Sequence, residues 1–178
     1  MCGVYAIFQK DRGLNSSEVM HLARTAQVRG VDSAGIVFQN GIDIQVKKRD
    51  CGSVELIKDT PNYQGSSFVA GHSRLMTNDV VNNQPVIKDD LIVIHNGIIA
   101  NYLDIWETIG LKPETELDSE VILALFKHFS QKGLGEDETV NEIFAACEGG
   151  CIGNFDSSGE EKNLPNLQQR KPLLWIQG

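Results

Sequence analysis

The chain has 178 residues, 41% of them apolar and 22% charged, with a formal net charge of -8. That length and composition suit a single globular domain with a substantial core. The acidic balance argues against a nucleic-acid surface, because phosphate binding needs clustered Lys and Arg.

No basic segment followed by an apolar one opens the chain, and no apolar run reaches the roughly 18 residues that a membrane span requires. A cytoplasmic protein with no membrane contact is therefore expected, and in that reducing compartment its 4 cysteines should be thiols. Cys147 and Cys151 have half-site spacing for a metal, but no second Cys or His pair at ligand spacing accompanies them, so no metal is expected.

Residues Cys2 to Phe8 read as a buried strand. A helix follows, with Asn15 at its cap, Glu18 at the third helical position, Val19, Leu22, Ala23 and Ala26 on one face, and Gly30 placed to end it. Ala34 to Gln39 and Ile42 to Lys48 flank Asn40-Gly41, a strong hairpin signal, so an antiparallel sheet is predicted. Ser67 to Gly71 and Leu91 to His95 are further strands, and each runs into a polar cluster.

Helices are predicted over Tyr102 to Ile109, stopped by Gly110, over Ser119 to Lys132 with Asp118 as cap and Gly133 beyond its end, and over Glu138 to Cys147. Weaker strand signals cover Cys151 to Phe155 and Leu173 to Ile176. Strands covered by helices give an α+β class.

Each polar cluster has a local explanation. Cys2 can be a small packed residue, Arg74 half of a surface ion pair, Asn96-Gly97 a turn and Asp118 a helix cap. Cys2 also has a chemical reading. Once Met1 is removed, it joins a thiol nucleophile to an α-amine whose ordinary pKa of roughly 7.7–8.0 suits a base.

Taken together, the following stretches resemble the class II glutamine amidotransferases, whose glutaminase domain is an N-terminal-nucleophile hydrolase. They are Cys2-Gly3-Val4, Arg29-Gly30-Val31-Asp32-Ser33-Ala34-Gly35, Gly71-His72-Ser73-Arg74-Leu75-Met76-Thr77, His95-Asn96-Gly97-Ile98-Ile99-Ala100-Asn101-Tyr102 and Leu117-Asp118-Ser119-Glu120. Within that family the wording is most similar to the glutaminase half of glucosamine-6-phosphate synthase.

The resemblance implies a four-layer α-β-β-α sandwich of two antiparallel sheets, shortened at its C-terminal end, where Lys171-Pro172-Leu173-Leu174 resembles a later family strand. It also implies hydrolysis of the glutamine side-chain amide through a Cys2 thioester, with no cofactor. Asn96 and Gly97 would form the oxyanion hole; Arg74, Thr77 and Asp118 would bind glutamine; Arg29 and Asp32 would support the nucleophile. Leu75-Met76 and Asn78 depart from the Trp-Ala and His typical of synthase-type relatives, at a loop that closes over substrate.

No acceptor domain is recognisable, so the ammonia is expected to pass to a partner subunit or to be released. The competing readings are a silent domain that binds glutamine or regulates a partner, and an N-terminal-Cys amidase acting on another amide.

Overall fold

The apolar run at the N-terminus forms strand β1 (Gly3–Phe8), and the helix read after it is α1 (Ser16–Gln27). These belong to a computed structural model that describes residues 2–9, 12–40, 43–75, 82–89 and 91–149, and the backbone of 171–173. Asn15 caps α1 through Oδ1, which accepts the Ser17 N–H at 2.9 Å, while Glu18 forms an ion pair with Arg12 at 2.8 Å.

Strands β2 (Ser33–Asn40) and β3 (Asp43–Arg49) make the expected hairpin. Their register pairs Asn40 with Asp43, one residue along from a turn centred on Asn40-Gly41. A short helix α2 (Ser53–Lys58), not foreseen, precedes β4 (Phe68–Arg74), which is buried along its whole length and runs past Gly71 to include Arg74. The first sheet is antiparallel, in the order β1-β4-β2-β3.

Strands β5 (Val86–Lys88) and β6 (Leu91–Val93) form a second hairpin, and β7 (Lys171–Leu173) adds to β6 in parallel. Two full antiparallel sheets are therefore not what the described residues display. The second sheet is small and mixed, because β7 arrives by a long connection rather than a turn. The expected strands at 151–155 and 174–176 lie outside the described residues.

Helices α3 (Tyr102–Ile109), α4 (Glu120–Gln131) and α5 (Glu136–Ala146) follow β6. Gly110 ends α3 in the left-handed region, at φ 69°, as C-terminal glycines commonly do. Three core clusters follow from this arrangement. Tyr5, Ile36 and Val69 pack with Val19 and Ala23 of α1; Val37, Phe68 and Ala70 pack with Ile92 and Ile94; Val93 packs with α4 and with Ile143 of α5.

The approach to α4 is organised by Glu120, which is only 2% exposed. Its carboxylate accepts the N–H groups of Glu114 and Thr115, the Thr115 hydroxyl and the Lys88 ammonium. Burial pushes this carboxyl up, but those donors outweigh it and hold it below the usual carboxylate value. The loop that delivers Asp118 is thereby pinned to β5.

Candidate active site

Strand register decides what lies near Cys2. Gly3 pairs with Ser73 on one side of β4, while Ala34 pairs with Ser73 and Ser33 with Arg74 on the other. Half-buried Cys2 therefore stands at the same end of the sheet as Arg74 and the Arg29-to-Ser33 loop.

That loop is laced to β4. The Ser73 hydroxyl donates to the Gly30 carbonyl at 2.7 Å, and the Asp32 N–H donates to the Arg74 carbonyl at 3.0 Å. A Cβ on Gly30 would fall 2.3 Å from the Arg74 carbonyl carbon. Gly30 is thus required by a close backbone approach and does not serve as the left-handed helix end that its position suggested. Arg29 is exposed, its N–H bonded to Ala26 O, and Asp32 is half-buried.

Arg74 is buried and not on the surface. It is 8% exposed, and its Nη1 donates to the Asn82 carbonyl. His72, two residues earlier on the same face of β4, is 1% exposed, and neither ring nitrogen has a well-aligned hydrogen bond. Desolvation, with Arg74 and His95 adding like charge, pushes the His72 pKa down to about 4, against a weaker pull from Asn83.

A neutral buried imidazole carries a stability signature. As pH falls from 6.5 towards 4 the unfolded chain takes up a proton that folded His72 refuses, so stability is lost through that window. The loss reaches about 3 kcal/mol. Urea titrations of the wild type and His72→Gln at several pH values are expected to show this slope in the first protein and a flatter one in the second. Parallel curves would mean that His72 titrates normally.

A second group forms around the segment after β6. The Ile99 N–H donates to Asp118 Oδ2 at 2.8 Å, and the Ser119 hydroxyl lies 3.3 Å from Asp118 Oδ1. Asp118 therefore ties down the backbone just beyond Asn96-Gly97. It is not the helix cap: Ser119 occupies that position, and Asp118 is drawn instead to an N–H distant in sequence. Asn96 is half-buried and Gly97 exposed.

Segment 82–85 lies between the two groups. Asn82 O accepts from Arg74, Gln84 Oε1 accepts the His95 N–H at 2.5 Å, and Gln84 Nε2 donates to Ser119 Oγ at 3.1 Å. Nothing local in the sequence singles out Asn82, Gln84 or Ser119 as site residues. The polar wording of Asn82 to Pro85 reads as a plain loop, and only the LDSE stretch hinted at Ser119. Leu75 is 42% exposed at the end of β4, whereas Met76, Thr77 and Asn78 lie outside the described residues.

Two surface cavities lie away from this region. One of about 320 Å³ is bordered by Asp104, Phe129 and Lys132, and the other, of about 420 Å³, by Lys88, Lys112 and Lys127. Among the described residues there is no cluster of His, Cys, Asp or Glu fit to hold a metal ion, and no helix is long and apolar enough to cross a membrane.

Residues 72–151 match the family described as glutamine amidotransferase domain. Those residues belong to the class II glutamine amidotransferase domain family. It is 32% identical over 158 residues to the glutamine–fructose-6-phosphate aminotransferase (isomerizing) of Bartonella quintana, covering 84% of this chain and 25% of that protein. Against the Bartonella henselae enzyme of the same name it is 32% identical, covering 97% of this chain and 29% of that one.

The chain thus spans between a quarter and a third of the length of the curated relatives it matches. In fold it is similar to the glutamine phosphoribosylpyrophosphate amidotransferase of B. subtilis, with a TM-score of 0.67 at 22% identity over 83% of this chain and 33% of that one. The chain therefore has a mixed α+β fold similar to that of the B. subtilis amidotransferase.

Proposed function

We propose that this amidotransferase domain hydrolyses the side-chain amide of glutamine to glutamate and ammonia, with Cys2 as nucleophile once Met1 is removed. The observation that supports this most is the register that sets Cys2 beside Arg74 at one end of the first sheet. A thiol, its own amine and a buried guanidinium are what attack on an amino-acid substrate needs.

The Cys2 sulfur adds to the amide carbon, and the C–N bond then breaks as the α-amine, through a water, passes the thiol proton to the departing ammonia. Water cleaves the resulting thioester to give glutamate and restore the thiol. Asn96 and the Gly97 N–H stabilise the oxyanion, a donor role worth about 2.7–4 kcal/mol when one is lost. Arg74 binds the α-carboxylate in the two-pronged geometry that lysine lacks. Asp118, whose oxygens already hold Ile99 and Ser119, offers its remaining lone pairs to the α-ammonium. Thr77 lines the same pocket, and Arg29 and Asp32 support the loop beside Cys2.

The likeness in fold favours a four-layer α-β-β-α sandwich of two antiparallel sheets for this domain. Ammonia passes to an acceptor site beyond this domain or on a partner, as the relatives' aminotransferase name suggests, or leaves to solvent.

Intact mass after incubation with 6-diazo-5-oxonorleucine, alongside an ammonia assay on glutamine, tests the reading. A protein lacking Met1 is expected to gain one adduct on Cys2 and to release ammonia. No adduct and no ammonia would favour a silent glutamine-binding or regulatory domain, and faster turnover of another amide would favour a different amidase.

A further inference from the structure

We infer that Gln84 is a positioning residue that sets the oxyanion loop and the substrate-binding aspartate with one side-chain amide, an inference that rests on the glutaminase reading above. Gln84 is 8% exposed, and both ends of its amide are used. Oε1 accepts from the backbone N–H of His95, the residue directly before Asn96-Gly97. Nε2 donates to Ser119 Oγ, directly after Asp118.

The hydroxyl of Ser119 is the branch point. The Ser119 oxygen accepts from Gln84 and lies 3.1 Å from His95 Nδ1; with His95 carrying its proton on Nδ1, the single hydroxyl proton goes to Asp118 Oδ1 at 3.3 Å. Asp118 Oδ2 then accepts from Ile99, two residues beyond Gly97. Gln84, Ser119 and Asp118 therefore hold the 95–99 segment at both ends, and His95 closes the circuit.

The main chain of Gln84 is fixed as firmly as its side chain. Its carbonyl oxygen packs against Gly35 of β2 so closely that a Cβ there would fall 1.8 Å away. Nearby, Arg74 donates to Asn82 O, so the guanidinium and the amide share one backbone anchor. An amide serves here where a carboxylate or hydroxyl would not, because the site needs one acceptor and one donor on opposite atoms. Burial raises the cost of losing either, since the His95 N–H or the Ser119 oxygen would be left without that partner.

The test compares wild type, Gln84→Met and Ser119→Ala in two readouts: amide hydrogen exchange at His95 and Ile99 by NMR, and kcat and KM for glutamine. Gln84→Met is expected to speed His95 exchange by about tenfold or more, to lower kcat roughly tenfold to a hundredfold, as small misplacements do, and to raise KM as Ser119 and Asp118 lose their anchor. Ser119→Ala is expected to leave His95 protected and to raise KM through Asp118. Unchanged exchange at His95 in Gln84→Met overturns the inference, as does a Ser119→Ala profile identical to that of Gln84→Met, which would signal general loosening. Should Gln84→Met not fold, Ser119→Ala decides alone, and an unchanged KM sinks the idea. A wild type that releases no ammonia refutes the glutaminase reading, while the exchange comparison still decides whether Gln84 holds the loop.

Discussion

Cys2→Ala is expected to abolish ammonia release from glutamine, by several orders of magnitude in kcat, while leaving the fold and glutamine binding intact. The side chain lost is the one that makes and breaks the covalent bond, and no neighbouring group replaces a nucleophile. Stability should change little, because Cys2 precedes β1 and is half-buried, and the pairing of Gly3 with Ser73 does not involve its sulfur. Binding of glutamine, followed by calorimetry, should persist because Arg74 and Asp118 are untouched.

A chain engineered to keep Met1 separates the two halves of the Cys2 unit. Its thiol is present but its amine is tied up in a peptide bond, so it should bind glutamine and turn it over as poorly as Cys2→Ala. Equal ammonia release by wild type and Cys2→Ala would remove Cys2 from the mechanism.

How much of this could be read from the sequence depends on the range of the interaction involved. Asn15, Gly110 and Gly133 were legible because caps and helix ends are set by neighbours within a turn. The sequence marks strand β4 only as far as Gly71, since His72-Ser73-Arg74 look polar and only pairing on both sides shows them to be buried strand. Helix α2 and strand β5 are too short for periodicity to mark them.

Asp118 shows the limit most clearly. Its spacing from α4 pointed to a cap, yet the Ile99 N–H, 19 positions earlier, claims one of its oxygens. The grouping of Cys2 with Arg74 rests on resemblance; strand register sets both residues at one end of the first sheet. Gln84 had no motif to announce it, because a lone amide that joins residues 11 and 35 positions away leaves no local pattern.

Gly35→Ala is expected to destabilise the protein by about 3 kcal/mol or more, well beyond an ordinary glycine substitution. The reason is space and not backbone conformation. The added Cβ would lie 1.8 Å from Gln84 O, 2.7 Å from Pro85 Cδ and 2.8 Å from Gln84 C. Two of those atoms are backbone, so no side chain can rotate away, and β2 cannot yield because it is paired on both sides and buried from Ser33 to Phe38. Either segment 84–85 retreats, which pulls Gln84 from His95 and Ser119, or the strand pairing opens. Gly110→Ala supplies the contrast: φ is 69° but nothing lies within 4 Å, so its cost is backbone strain of roughly 1–2 kcal/mol. Urea unfolding of both variants measures the difference. Of the two, only Gly35→Ala should also expose the His95 amide to exchange, because it alone moves the residue that holds that N–H. Comparable losses in both variants, with His95 still protected, would show that β2 and the Gln84 segment part without strain and that the close contact at Gly35 does not fix the loop.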